Sequence, residues 1–417
     1  FNFAKSIWSF NRSLTGEGNR KTLKIIKKNV NLLNIKNIKS GTKCFDWVIP
    51  LEWKVEEAFL IDPNGKKICN FEKNNLHLVG YSISIDKFIN FNELKNHLHF
   101  LKEQPSAIPY VTSYYKKNWG FCLSYNDYKK LKKGNYRVII KTKHFKGQLD
   151  YGELIIKGKT KKEILLSTNI CHPSMANNEI SGITVLTALA AYLTKKNNYY
   201  TYRLIFIPET IGSIFYISKN KTILKKNVVA GFVLSCLGDE RSYSFLPSKY
   251  GNSLSDLAAE HIFKWKIKKF RKYDWIDRGS DERQYCSPGV DLPIASVMRT
   301  KHGEYKEYHT SLDRLGTVVT EKGLTGGFNL VKDIIGVLES NIYPVSNFYC
   351  EPNLGKKNLY PTTSKKDAYN KEFKYMMEIL TWADGKNSLL DISNKLKVPL
   401  WELLPISNRL KLKGVIK

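Results

Sequence analysis

Two histidines, His172 and His309, and four carboxylates, Glu179, Glu209, Asp239 and Asp281, are the residues of this chain whose types could do chemistry together. Zinc takes about four ligands, typically histidine nitrogen and carboxylate oxygen, and a catalytic site leaves one position for water. Water bound in this way loses a proton near neutral pH and attacks a carbonyl polarised by the same ion. A nearby carboxylate then moves that proton to a leaving amine. Each residue also has a plainer use: Asp281 with Arg283 as a salt bridge, Asp239 as a turn residue, either histidine as a satisfied buried group. Their shared position in the chain favours a site.

That position is set by the strands before them. Ile164–Ser167, Tyr202–Ile207, Val228–Leu234 and Ile294–Met298 are apolar runs, and an Ala-rich helix is expected over Ile183–Leu193. Buried strands alternating with helices imply an α/β domain with a largely parallel sheet, and ligands of such sheets gather beyond the strands' carboxyl ends. After the first strand come Cys171-His172-Pro173-Ser174 and Asn178-Glu179, after the second Pro208-Glu209-Thr210, and after the third Gly238-Asp239-Glu240. Ser280-Asp281-Glu282-Arg283 lies further on, and His302 and Tyr308-His309 follow the last strand.

The rest of the chain reads as added units. Residues 1–35 are helical, with a turn at Thr15-Gly16-Glu17-Gly18, and from about 40 to 125 short aromatic and β-branched runs are broken by turn signals such as Asp62-Pro63-Asn64-Gly65. A stretch near 343–362 reads as a linker, followed by three short helices and an apolar end, Val415-Ile416, the pattern of a winged helix. The expected division is therefore an α/β domain at 1–38 and 130–342, an inserted β-rich domain at 39–129, the linker, and a winged helix at 363–417.

A chain of 417 residues is long enough for several domains, and no stretch reaches the ~18 apolar residues of a membrane helix. It begins on Phe1 and reads as a fragment, so a missing targeting segment says little. The net charge of +29 comes mostly from Lys spread along the chain among Asn and Ile. That is a compositional bias and a solvated basic surface, and no nucleic-acid partner is expected. Seven scattered cysteines without CxxC spacing argue against a disulfide framework and for the reducing cytoplasm.

Six strings carry a resemblance over nearly the whole chain: RSLTGEG at 12–18, IPYVTSYYKKNWGFC at 108–122, HPSMANNEISG at 172–182, PETIGS at 208–213, GSDERQYCSPG at 279–289 and EYHTSLD at 307–313. They resemble bacterial aminopeptidase-like proteins of unknown function, often associated with surface-polysaccharide biosynthesis. Those proteins combine a zinc-aminopeptidase-type domain, an inserted β domain and a C-terminal winged helix, and are distantly similar to di-zinc leucyl aminopeptidases. The resemblance implies metal ligands at His172 and His309, a general base at Glu209 and a Ser-Asp pair at Ser280-Asp281. Asn178 stands at the place of the metal-bridging aspartate, and Thr210 and Ser235 at acidic ligand positions of the di-zinc enzymes.

These departures reduce the expected metal content to one zinc ion, held by His172 and His309 with Asn178, Glu179 or Asp239. Glu209 and Asp281 are the expected catalytic groups, and Arg283 and Tyr308 the substrate-binding ones. The expected activity is hydrolysis of an amide or peptide bond in a peptide or small molecule. Two alternatives stand beside it: a catalytically impaired protein whose winged helix and basic surface dock to a partner or nucleic acid, and hydrolysis of an N-acylated sugar. A protein partner or a second copy of the chain also stands among the partner candidates.

Overall fold

The computed structural model describes residues 1–360 and 370–417. The end of the expected linker and the first residues of the expected winged helix therefore lie outside the described residues. The chain divides into two units, residues 1–255 with 269–330, and residues 256–268 with 331–417.

The first unit is built on an eight-stranded sheet. Its order from edge to edge is Asn34–Lys39, Gln148–Ile156, Thr201–Ile207, Glu163–Asn169, Val228–Leu234, Ile294–Met298, Ser244–Leu246 and Arg271–Lys272. The four central strands run parallel. Every residue of Glu163–Asn169 and Thr201–Ile207 is buried, which is why these strands read as continuous runs rather than alternating ones. The register pairs Asn169 with Ile207 and Leu234 with Val297, so the strands end at nearly one level. The helix Ser181–Thr194 packs close to the sheet because Gly182 has no side chain: a Cβ there would sit 2.4 Å from the Leu234 carbonyl oxygen.

The inserted β unit extends past its expected boundary at 129. Its four-stranded antiparallel sheet runs Lys67–Ile68, Glu52–Ile61, Asn135–Phe145, Ile85–Asn90, so a strand assigned to the α/β domain belongs to it. Buried Trp53 stacks on Tyr81 at 5.3 Å, with Leu60, Phe121, Tyr136 and Val138 behind it. From this unit residues 108–111 return to the α/β domain: Tyr110 N donates to His309 O at 2.8 Å, and Ser311 N to Ile108 O at 2.8 Å.

The second unit contains the helices Lys371–Thr381, Leu389–Leu396 and Leu400–Leu412. Ser388 and Asp391 form a capping box that starts the middle helix. Val345 and Ser346 pair with Asp384 and Ile416, so the start of the expected linker forms part of the wing. The module is a winged helix.

Buried polar chemistry ties the large sheet together. Arg203, 3% exposed, donates from Nε and Nη2 to Glu163 at 2.6 and 3.0 Å and from Nη1 to Glu153 at 2.9 Å and to the Tyr216 hydroxyl at 2.8 Å. The three strands bearing Glu153, Arg203 and Glu163 are neighbours. Replacing Arg203 with Met removes the cation that the two buried carboxylates share and leaves Glu163 without one, and chemical denaturation should show a loss of about 3 to 5 kcal/mol. A loss under about 1 kcal/mol would mean that Lys36 alone neutralises the cluster.

Candidate active site

The strand ends meet where the sequence places them, and the backbone there is forced into tight shapes. Ser174, Thr210, Cys236 and His309 adopt left-handed backbone, with φ of 46, 62, 50 and 54°. Such residues cost of order 1 to 2 kcal/mol each, and they gather where a site needs particular directions. Ala176–Ile180 is a π-helical turn opening onto the helix Ser181–Thr194, and it buries Asn177, Asn178 and Glu179 together.

Glu179 is 1% exposed and its two oxygens are filled by the protein. Oε1 accepts from Arg12 Nε at 2.8 Å, while Oε2 accepts from the backbone N–H of Cys171 at 2.7 Å and of His172 at 2.6 Å and contacts His172 Nδ1 at 2.8 Å. Burial opposes its charge, but His172 and Arg12 outweigh it and hold the carboxyl below the ordinary range. Both Glu179 oxygens are engaged by the protein, and Glu179, Cys171 and His172 lie close enough together to form one cluster of metal-competent groups. By taking Nδ1–H, Glu179 fixes the His172 ring and turns Nε2 toward Glu209, and a carboxylate on Nδ1 is the support that metal-binding imidazoles have.

The His172 and His309 ring centroids lie 5.3 Å apart. His309 stacks on Tyr308 at 3.9 Å and meets Tyr110 edge-on at 5.3 Å. Its Nε2 is buried with no hydrogen-bond partner among the described residues. Burial, then His172 and His302, depress His309 to about 3, so it is a neutral imidazole with an unused nitrogen. For His172, burial alone would lower the imidazolium, but the Cys171 sulfur and Glu179 raise it well above the ordinary value. Because burial pushes the Cys171 thiol itself up to about 11, at neutral pH the anion facing His172 is Glu179.

Glu209 Oε2 lies 3.8 Å from His172 Nε2. Burial raises the Glu209 carboxyl above its ordinary range against the pull of His172 and Arg283. Asp281 is fully buried, with one oxygen accepting from Thr210 N at 2.8 Å and the other without a hydrogen bond among the described residues. Burial and neighbouring Glu209 raise its carboxyl, and its hold on Thr210 shapes the turn after Glu209. Arg283 Nη2 donates to Thr210 Oγ1 at 2.9 Å.

Asp239 is buried, and neighbouring donors engage it. Its oxygens accept from Asn177 Nδ2 at 3.0 Å, Thr300 N at 2.9 Å, Thr300 Oγ1 at 2.7 Å and Arg241 N at 2.9 Å, which fills them. It fastens Asn177, whose Oδ1 in turn accepts from Gly238 N at 2.9 Å. Asp313 accepts from the N–H groups of Asn177 and Asn178 at 2.7 and 3.1 Å and from the Tyr305 hydroxyl at 3.2 Å. The Asn178 side chain makes no hydrogen bond among the described residues.

His172, His309, Glu209 and Thr210 open onto a pocket of 250 Å³. Its other wall comes from the inserted unit: Trp47, Tyr110, Thr112, Tyr114 and Tyr115. Sequence reasoning singled out the aromatic run at 108–122 without giving these residues a role, and Arg12 lay unremarked within RSLTGEG.

The chain matches the family described as "Domain of unknown function (DUF4910)" over residues 1–341 and a winged helix-turn-helix family over 341–417. A Clostridium acetobutylicum relative is 40% identical, covering 95% of this chain and 90% of its own length. The chain belongs to this DUF4910 family. The relative's name joins polysaccharide biosynthesis with an aminopeptidase-like domain. A crystal structure of a C. acetobutylicum protein provisionally named a peptidase is 37% identical, with a TM-score of 0.92, and covers 100% of this chain and 95% of its own. A zinc aminopeptidase of Bacillus subtilis is 12% identical, with a TM-score of 0.58 over 80% of this chain and 93% of its own, which shows a shared fold. The first unit is thus a mixed α/β fold resembling zinc aminopeptidases. Among the described residues no helix is long and apolar enough to cross a membrane.

If Glu179 orients His172, then Glu179→Gln removes the charge and keeps the shape. Arg12 is left buried without its anion, and unfolding should show about 3 kcal/mol of destabilisation. In ¹⁵N spectra the His172 ring should lose its fixed Nδ1–H form; an unchanged ring signal would remove the orienting role.

Proposed function

We propose that the chain is a metal-dependent hydrolase of amide or peptide bonds, with one zinc ion held by His172 and His309 and Glu209 as general base. The observation that carries this reading is the pair of close imidazoles, one turned by Glu179 so that Nε2 faces Glu209, the other with a buried Nε2 unpartnered among the described residues. A buried neutral imidazole nitrogen without a hydrogen-bond partner is a ligand atom of the kind zinc takes. Asn178 would add a neutral oxygen donor beside them. Zinc, when bound, would polarise the scissile carbonyl and acidify a water.

The chain's own residues divide the remaining work. Glu209, partly exposed to the pocket and with a raised carboxyl, would take a proton from water and give it to the leaving amine. Arg283 and Tyr308, flanking the pocket through Thr210 and His309, would orient the substrate. Tyr110 and Tyr114, joined through their hydroxyls at 3.0 Å, would close the wall opposite Glu209 and keep solvent out. The relative's name includes polysaccharide biosynthesis, and an N-acylated sugar is the second substrate class that we propose. Free cysteines, six of the seven buried, support a reducing, cytoplasmic setting.

Metal analysis should find one zinc per chain after incubation with the ion, and none in a His172→Ala, His309→Ala double variant. A wild type that takes up no zinc would replace this reading with a non-catalytic one acting through the winged helix. Asn178→Asp supplies the missing negative charge and should tighten zinc binding by about ten-fold or more; an unchanged affinity would place Asn178 outside the ligand set. The acid limb of kcat/KM should lie above the ~4.3 of an ordinary glutamate, because activity needs ionised Glu209 and burial raises its carboxyl. Glu209→Gln should remove activity at every pH while keeping bound zinc.

A further inference from the structure

A second cavity adjoins the candidate active site. It measures 480 Å³ and lies between residues 48–51 and the loop 113–117 of the inserted unit. Tyr114 and Tyr115 line both this cavity and the pocket at His172 and His309, so the two spaces share a wall. Its apolar surface comes from Val48, Ile49, Leu51 and Ile83. Val48, Leu51 and Tyr115 remain 43, 44 and 61% exposed. Single exposed apolar side chains are ordinary, but several around one concavity beside a reactive site are the features of a ligand subsite.

The polar character of this cavity has one sign. Lys116, Lys117 and His144 line it, and no carboxylate does. Neither lysine pairs with a carboxylate among the described residues, whereas Lys141 and Lys143 of the same unit pair with Glu57 and Glu56. Unpaired ammonium groups at the rim of an apolar cavity favour an anion whose apolar part is buried.

We propose that this cavity receives an apolar arm of the substrate, ending in a carboxylate or phosphate held by Lys116 and Lys117. The inference rests on the amide-hydrolase reading for what the arm is attached to, and it narrows the substrate class to amides carrying an anionic, apolar extension. Tyr114 and Tyr115 would then separate the reacting bond from the arm, and small unextended amides would be poor substrates.

Calorimetric titration of the metal-free, full-length protein with hexanoate, octanoate, decanoate, decyl phosphate and decylammonium tests the subsite directly. Affinity should rise about three- to four-fold per added methylene while the chain fits, as burial of apolar surface requires. Decylammonium should bind at least about ten-fold more weakly than decanoate. Comparison of decanoate with decyl phosphate identifies which anion the lysines prefer. Val48→Asp should weaken every anionic chain, and the Lys116→Glu, Lys117→Glu pair should abolish the preference for anions while the chain-length dependence remains. Absence of chain-length dependence, or an anion preference unchanged in the lysine pair, would overturn the proposal. The titration needs neither metal nor turnover, so its failure removes the subsite alone, and failure of zinc binding removes the reaction alone.

Discussion

A carboxylate shut away from water must find its partners inside the protein, and Glu179 finds a guanidinium on one oxygen and an imidazole with two backbone N–H groups on the other. Burying three ionisable groups together is costly unless geometry and hydrogen bonding are good. The arrangement therefore holds only if three separate pieces of chain are placed at once. Arg12 comes from the loop after the first helix, His172 from the end of a central strand and Glu179 from the π-helical turn. Arg12 also donates to the carbonyls of Ile7 and His172, so the N-terminal segment is tied to the strand end it helps to shape. The direction of the His172 ring is a consequence of this cluster, and the character of the pocket follows from that direction.

The second histidine is held by different means. His309 sits in a left-handed backbone conformation, stacked on Tyr308 and edge-on to Tyr110, and its carbonyl accepts from Tyr110 N. Two of these constraints come from the inserted unit. That unit is part of the site: it clips the loop bearing one histidine and supplies the aromatic wall facing Glu209. A motion of the 108–115 segment would alter the ring at His309 and the shape of the pocket in one step.

The acidic positions that differ from di-zinc enzymes are compensated locally. Asn178 carries no charge, yet its backbone N–H and that of Asn177 are held by the buried Asp313 carboxylate. Burial raises Asp313 to about 7 against the pull of those N–H donors. Asp239 is engaged on the same turn through Asn177. Two buried carboxylates thus hold the shape of the turn that carries Asn177 and Asn178.

By itself the sequence determined the central strands, because strands buried on both faces carry continuous apolar runs, here residues 164–166 and 204–207. It also determined that His172, Glu209 and His309 share one end of the sheet, since parallel strands carry their following residues to the same edge. The three C-terminal helices were legible from their periodicity and caps. What only tertiary structure decided was the work of each carboxylate. Glu179 and Asp239 look alike as candidate ligands along the chain, but a carboxylate's role depends on which donors fill its oxygens. Those donors, Arg12 for one and Thr300 for the other, lie 167 and 61 residues away. The β boundary was missed for the same reason: Asn135–Phe145 has a strand pattern that fits either domain, and only its pairing with Glu52–Ile61 assigns it.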